Sequence, residues 1–166
     1  MSKTTDAERN RNIVKRTTLI VRDMARSRRW YEYVLGMSVW YDGEVELSGT
    51  GLAAGKAGDK THLVILQCDD PVLGMIGLLQ WVDPPLPAPA EIPRSVTYGN
   101  PTFVVASDDA AETHRRVVEL GTHVHAPPRE WSIRGANGRM KHFLGVSFFD
   151  PDGYFYECNQ LLRESD

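Results

Sequence analysis

The chain repeats its own order of segments, and that repeat constrains the fold more than any single motif. Ile13 to Val21 is rich in Val, Ile and Thr and predicts a strand. From Asp23 the period changes: Trp30, Val34 and Met37 fall at helical spacing beside Tyr31 and Leu35, and Gly36 supplies a left-handed stop. The second half follows the same order. Pro101 to Val105 predicts a strand, Asp108 to Leu120 an amphipathic helix with Val117, Val118 and Leu120 apolar, and Gly121 the stop. The two Leu-Gly stops lie 85 residues apart, and Leu19 and Phe103, in the opening strands, lie 84 apart. Self-similarity at one spacing marks a duplicated unit. Two similar half-sheets can curve around a shared cavity.

Each half continues in short strands. In the first these are Val39 to Tyr41, Glu44 to Leu47, His62 to Cys68 and Gly77 to Val82, with the Gly- and Ala-rich stretch Gly49 to Asp59 read as a flap able to close over a ligand. In the second, Val124 to His125 begins a strand and Trp131 to Arg139 is a glycine-containing loop. Phe143 to Phe149 and Tyr154 to Asn159 are strands joined by the tight turn Asp150-Pro151-Asp152-Gly153. Pro84 to Pro93 holds five prolines, and the missing N–H donors exclude a strand or helix interior there. The chain therefore divides into a polar arm over 1–12, a first unit over 13–83, a stiff linker over 84–97, a second unit over 98–161 and a tail over 162–166.

Composition narrows the function. A chain of 166 residues is long enough to bury about two-thirds of its unfolded surface, so neither metal nor disulfide is needed merely to fold. The formal net charge of −3 argues against a nucleic-acid or anionic-membrane partner, which wants a basic face. No uncharged apolar run approaches the length of a membrane span. Cys68 and Cys158 are too few for a disulfide framework and read as free thiols, which with the absence of a signal peptide predicts a cytoplasmic protein.

Two segments carry a family resemblance. Leu19-Ile-Val-Arg-Asp23-Met-Ala-Arg-Ser27-Arg-Arg-Trp-Tyr31-Glu-Tyr-Val-Leu35-Gly36-Met37 resembles the opening of the vicinal oxygen chelate superfamily. This group includes glyoxalase I, bleomycin- and fosfomycin-resistance proteins, methylmalonyl-CoA epimerase and extradiol dioxygenases. Phe149-Asp150-Pro151-Asp152-Gly153-Tyr-Phe-Tyr-Glu157 is similar to its closing hairpin. The resemblance implies an α+β fold of two tandem βαβββ modules forming a cupped mixed sheet with the helices outside. It also implies a homodimer. In metal-dependent members four side chains point into the cup and hold a divalent cation that stabilises a developing oxyanion.

Carried over position by position, the resemblance places Arg16 and Asn100 where the first strands usually bring His. It places Gln80 and Glu157 where the last strands usually bring Glu. Only Glu157 matches. Arg16 has no acceptor, and its fixed charge repels a divalent cation by several kcal/mol at an effective dielectric of about 20. Amides such as Gln80 and Asn100 bind metals weakly. The expectation is a degenerate metal site and no cofactor. Arg16, Thr18, Gln80, Asn100 and Glu157 then line a cup for a small organic ligand, aromatic or anionic, with Arg16 pairing Glu157 when the cup is empty. The alternatives are a metal-dependent lyase, isomerase or dioxygenase, with Glu157 catalytic and Glu157 and Gln80 holding Zn, Fe, Mn or Ni, and a non-catalytic regulatory or assembly subunit. His62 and His142, each just before an apolar strand, are candidate general bases, while His123 and His125 read as surface residues. Cys158 alternates away from Glu157 and reads as core.

Overall fold

The structure is a computed structural model and describes residues 12–166. The arm read over 1–12 thus lies, apart from Asn12, outside the described residues. The first module runs β1 (Arg16–Ile20), α1 (Met24–Val34), β2 (Ser38–Glu46), β3 (Lys60–Gln67) and β4 (Met75–Asp83). The second runs β5 (Thr102–Ala106), α2 (Ala110–Glu119), β6 (Val124–Arg134), β7 (Met140–Phe149) and β8 (Phe155–Ser165). Each forms a four-stranded mixed sheet, ordered β1-β4-β3-β2 and β5-β8-β7-β6. In each the first strand pairs parallel to the last and the rest is antiparallel. Residues 84–101 between the modules contain neither helix nor strand. No helix among the described residues is long and apolar enough to cross a membrane.

The duplication extends to the polar contacts at the helix starts. Asp23 caps α1 by accepting from Arg26 N–H (3.0 Å), and Asp109 caps α2 by accepting from Glu112 N–H (2.9 Å). A last-strand glutamine satisfies one more free donor in each first turn. Gln80 Oε1 accepts from Met24 N–H at 2.8 Å, and Gln160 Oε1 from Ala110 N–H at 3.2 Å. Gly36 and Gly121 both close their helices at φ +67°. Aligned on these anchors, Leu19 corresponds to Val105, not to Phe103. Both stand four residues before the cap and face the core.

Three segments differ from the sequence reading. Val39–Tyr41 and Glu44–Leu47 belong largely to one strand, β2, with a register shift between Val39 and Tyr41. The region read as a loop from Trp131 is strand as far as Arg134. There Pro127 and Pro128 mask β6, but it is an edge strand whose register shifts between Ala126 and Arg129, which is where a sheet tolerates proline. Strand β8 continues past Asn159 to Ser165 through the segment read as tail. The flap is held at its base by buried Asp59, whose carboxylate accepts from Trp81 Nε1–H and Lys56 N–H, both at 3.1 Å.

One core spans both modules. Trp30 of α1 lies 5.0 Å from Tyr31, 5.8 Å from Phe148 and 5.7 Å from Tyr156, so the first helix packs on aromatics of the second sheet. Beside them the Tyr31 hydroxyl donates to Asp150 Oδ2 (2.7 Å) and meets the Tyr156 hydroxyl (2.8 Å). Asp150 also accepts from the N–H groups of Asp152 (2.9 Å) and Tyr154 (2.8 Å). Asp152 in turn pairs with Arg22 Nε (2.8 Å) and accepts from Ser27 Oγ (2.6 Å). The tight turn between β7 and β8 is therefore the joint between the modules.

Burial pushes the Asp150 carboxyl up from 3.8 to about 6, outweighing the hydrogen bonds it accepts. A folded-state value above the unfolded one favours folding when the group is protonated. That stability is fully present below 3.8 and is lost as pH rises through about 6. Denaturant titrations should therefore show the wild type losing up to about 3 kcal/mol between pH 4 and pH 7 relative to Asp150→Asn. Parallel pH profiles for the two proteins would refute this origin.

Candidate functional site

Strand alternation gives each sheet a core face and an open face, and the two open faces have diverged. On the open face of the second module Glu157 pairs with Val104 on one side and Ser147 on the other, and Asn159 pairs with Gly145. By the same register in the first module, Gly77 pairs with Thr18 and Ile65, and Leu79 with Leu63. Glu157 thus corresponds to Gly77, Ser147 to Ile65, Gly145 to Leu63 and Asn159 to Leu79. The first face is filled with buried apolar groups, including Ile65, Leu79 and Trp81. The second has the smaller Ser147 in place of Ile65 and a polar Asn159 in place of Leu79.

The result is a cleft of about 490 Å³ on the second module. Ala126, Gly145 and Ser147 form its floor, Trp131, Phe155 and His125 its walls, and Arg129, Glu157 and Asn159 its polar groups. Trp131 lies across the floor. Its ring stacks on Phe143 at 4.9 Å, and its Nε1–H donates to Asn159 Oδ1 at 3.1 Å. A β-carbon at position 145 would stand 2.6 Å from Trp131 Nε1, so only glycine lets the indole lie there. The His125 ring sits edge-on to Phe155 at 5.7 Å. Glu157 and Arg129 are both exposed, and neither makes an ion pair among the described residues.

The residues expected to share a cup are placed apart. Glu157 lines the cleft. Arg16 and Thr18 share the open face of the first module and lie over Gly77, where an added β-carbon would meet Thr18 Oγ1 at 2.8 Å and Arg16 Cδ at 3.3 Å. Arg16 lines a separate groove of about 260 Å³ with Met75, Phe103, Val104 and Tyr156, and does not pair with Glu157. Gln80 does not join them: it is on the core face, bonded to the start of α1, because the counterpart of Glu157 is Gly77 three residues earlier. Asn100 precedes β5 and its Oδ1 accepts from Thr97 N–H at 3.1 Å, while the position matching Arg16 is Thr102.

The histidines follow a similar pattern. His62 is bonded to Asp42 at 2.6 Å, a contact that holds the Asp42 carboxyl below its usual range. His142 lies between the Ser132 and Ser165 hydroxyls at 2.8 and 3.1 Å. Neither lines the cleft, whereas His125, exposed on the edge strand β6 as its reading as a surface residue expects, does. Cys158 is fully buried and its thiol is pushed up by that burial, in keeping with a core role. Arg129, Ser147 and Asn159 have no sequence signal of their own. The alternation Gly145-x-Ser147 opposite Phe155-x-Glu157-x-Asn159 is the signal that locates them, but it needs the strand pairing to be read.

A model of the Glyoxalase/Bleomycin resistance protein/Dioxygenase superfamily matches residues 13–158. The chain belongs to this superfamily. Among solved structures it is similar to a glyoxalase family protein from Bacillus cereus, with 14% identity and a TM-score of 0.71, covering 96% of this chain and 100% of that one. A glyoxalase/bleomycin resistance protein/dioxygenase domain from Frankia sp. EAN1pec is 17% identical with a TM-score of 0.60, over 90% of this chain and 98% of that one. The fosfomycin resistance protein FosX from Mesorhizobium loti is 21% identical with a TM-score of 0.51, over 86% of each chain. No curated protein matches the sequence. These structural likenesses extend the sequence repeat to the fold: tandem modules of the glyoxalase type.

The metal that the superfamily implies finds a poor donor set here. The four related positions hold Arg16, Gly77, Thr102 and Glu157, a single carboxylate with a cation, a hydroxyl and no side chain. No group of three His, Cys, Asp or Glu side chains able to hold a metal ion occurs among the described residues. These residues do not fit a tightly held divalent cation.

The close approach at Gly145 is directly measurable. Gly145→Ala should break the Trp131–Asn159 hydrogen bond, moving the Trp131 indole N–H resonance and speeding its exchange with solvent, with the other three indole resonances unchanged. An unmoved Trp131 resonance would show that the indole does not cross the floor.

Proposed function

We propose that this protein binds a small organic molecule in the cleft of its second module and does so without a metal. The observation that carries the reading is the divergence of the two open faces. One is filled by Ile65, Leu79 and Trp81, while the other has Ala126 and Ser147 at its floor, the Trp131 indole laid over Gly145, and a lining of polar groups that includes the unpaired charges of Arg129 and Glu157. A concave site with aromatic walls and a few directed polar groups is the usual form of a ligand pocket. Glu157 remains as the one residue matching the superfamily's metal-binding pattern, and here it acts as a hydrogen-bond acceptor toward the ligand. Arg16, expected to contribute, stands in the neighbouring groove. The reading favours sequestration or recognition over metal-assisted catalysis.

A homodimer accompanies this proposal. Val104, Ile133 and Leu161 flank the cleft on the same face and are 69%, 52% and 48% exposed, which a second copy of the chain would cover. Ile133→Lys should then halve the mass seen by sedimentation.

The binding test is a screen of small aromatic acids and amines by ligand-observed NMR. Compounds held by the wild type should be released by Gly145→Val, which displaces the Trp131 indole, and by Ser147→Leu, which fills the floor, in proteins whose near-ultraviolet spectra show an intact core. Hits retained by both variants would place binding elsewhere. In parallel, metal analysis of the purified protein should find no stoichiometric Zn, Fe, Mn or Ni. A bound metal that is lost in Glu157→Gln would overturn the metal-free reading and favour a lyase, isomerase or dioxygenase.

A further inference from the structure

We infer that the cleft selects a zwitterion: a flat apolar body with a cationic group at one end and an anionic group at the other. This rests on the binding role just proposed and names the ligand's charge pattern. The argument starts from two opposite charges that share a cleft without meeting. Arg129 pairs with Gly145 across β6 and β7, and Gly145 pairs with Asn159 across β7 and β8, so Arg129 and Asn159 stand two strands apart. At about 4.8 Å per strand their backbones are separated by about 10 Å, and Glu157 lies two residues further along β8. Between them Gly145 lies beneath the Trp131 indole, and Ser147 is too short to join the two charges. Arg129 and Glu157 form no ion pair and are left facing the same space.

The neutral polar groups lie between and beside the two charges. Asn159 Oδ1 already accepts from Trp131, so the free hydrogen-bonding group of Asn159 is its amide NH₂, a donor. It stands between the two charges, two residues from Glu157 on β8 and two strands from Arg129, which forms the anion-accepting end. Glu157 offers only acceptors at the other end, beside the Ser147 hydroxyl. Between the ends, the Trp131 ring is held by its stack on Phe143 and presents a flat apolar surface. The same layout rejects ligands carrying one charge. A plain anion meets Glu157 and a plain cation meets Arg129, each leaving one site charge unanswered.

Three fragments of one shape test this: 4-(aminomethyl)benzoate with both charges, benzylamine with the cation alone, and 4-methylbenzoate with the anion alone. Titrations followed by protein-observed NMR should show all shifts centred on Gly145, Ser147 and the Trp131 indole. The zwitterion should bind about tenfold more tightly than either relative, since each adds or removes one charge-assisted contact. Glu157→Gln should abolish its advantage over 4-methylbenzoate and leave that over benzylamine. Arg129→Gln should do the reverse. Equal affinities of all three fragments at the cleft would overturn the zwitterion proposal and leave the binding role standing. Shifts that persist in Gly145→Val would move the fragments out of the cleft and overturn the proposal. A screen whose hits bind the cleft while the zwitterion leaves it unmoved would do the same.

Discussion

The Asp150 carboxylate holds the two halves of this protein in one arrangement. It lies buried at the turn between β7 and β8, takes two N–H groups of its own turn, and receives the hydroxyl of Tyr31 from the first module. A buried carboxylate without such partners costs several kcal/mol, so the hydrogen bonds and the packing of α1 on the second sheet depend on one another. Trp30, Phe148 and Tyr156 close around this contact, and Arg22 and Ser27 repeat it one layer out through Asp152. Strand β8, which brings Phe155, Glu157 and Asn159 to the cleft, begins immediately beyond that turn. The position of Phe155 and Glu157 is thereby tied to the joint between modules.

Duplication supplied two equivalent faces, and small changes in side-chain volume gave them different tasks. Both modules keep the Asp cap, the glutamine from the last strand and the left-handed glycine, because these satisfy backbone groups that any copy of the unit must satisfy. The open faces carry no such obligation. Leu63 and Ile65 lie on one, while on the other Gly145 admits the Trp131 indole and Ser147 leaves room beside it. The loss of a side chain at Gly77 belongs to the same divergence. Thr18 and Arg16 lie over that glycine, leaving no room for a partner carboxylate.

The fold was far more legible than the site. Helix periodicity at Trp30 and Val34, the paired Leu-Gly stops and the proline linker are local signals, each with a local physical cause. They led to the tandem architecture, and the opening and closing motifs led to the superfamily. The site depended on register. An alignment anchored on Leu19 and Phe103 was two residues out, enough to put Asn100 where Thr102 belongs. Gln80 was taken for the counterpart of Glu157 although three residues separate it from that position, and an odd offset on a strand moves a side chain to the opposite face. Pro127 and Pro128 hid β6, and with it Arg129.

By itself the sequence determined the two units and their secondary structure in outline, because caps, stops and hydrophobic period act over a few residues. Tertiary structure alone decided which face each side chain occupies and which charges meet. Those outcomes depend on pairing between strands distant in the chain, as when Ser147 and Gly145 come to lie beside Glu157 and Asn159, and no local pattern encodes that register.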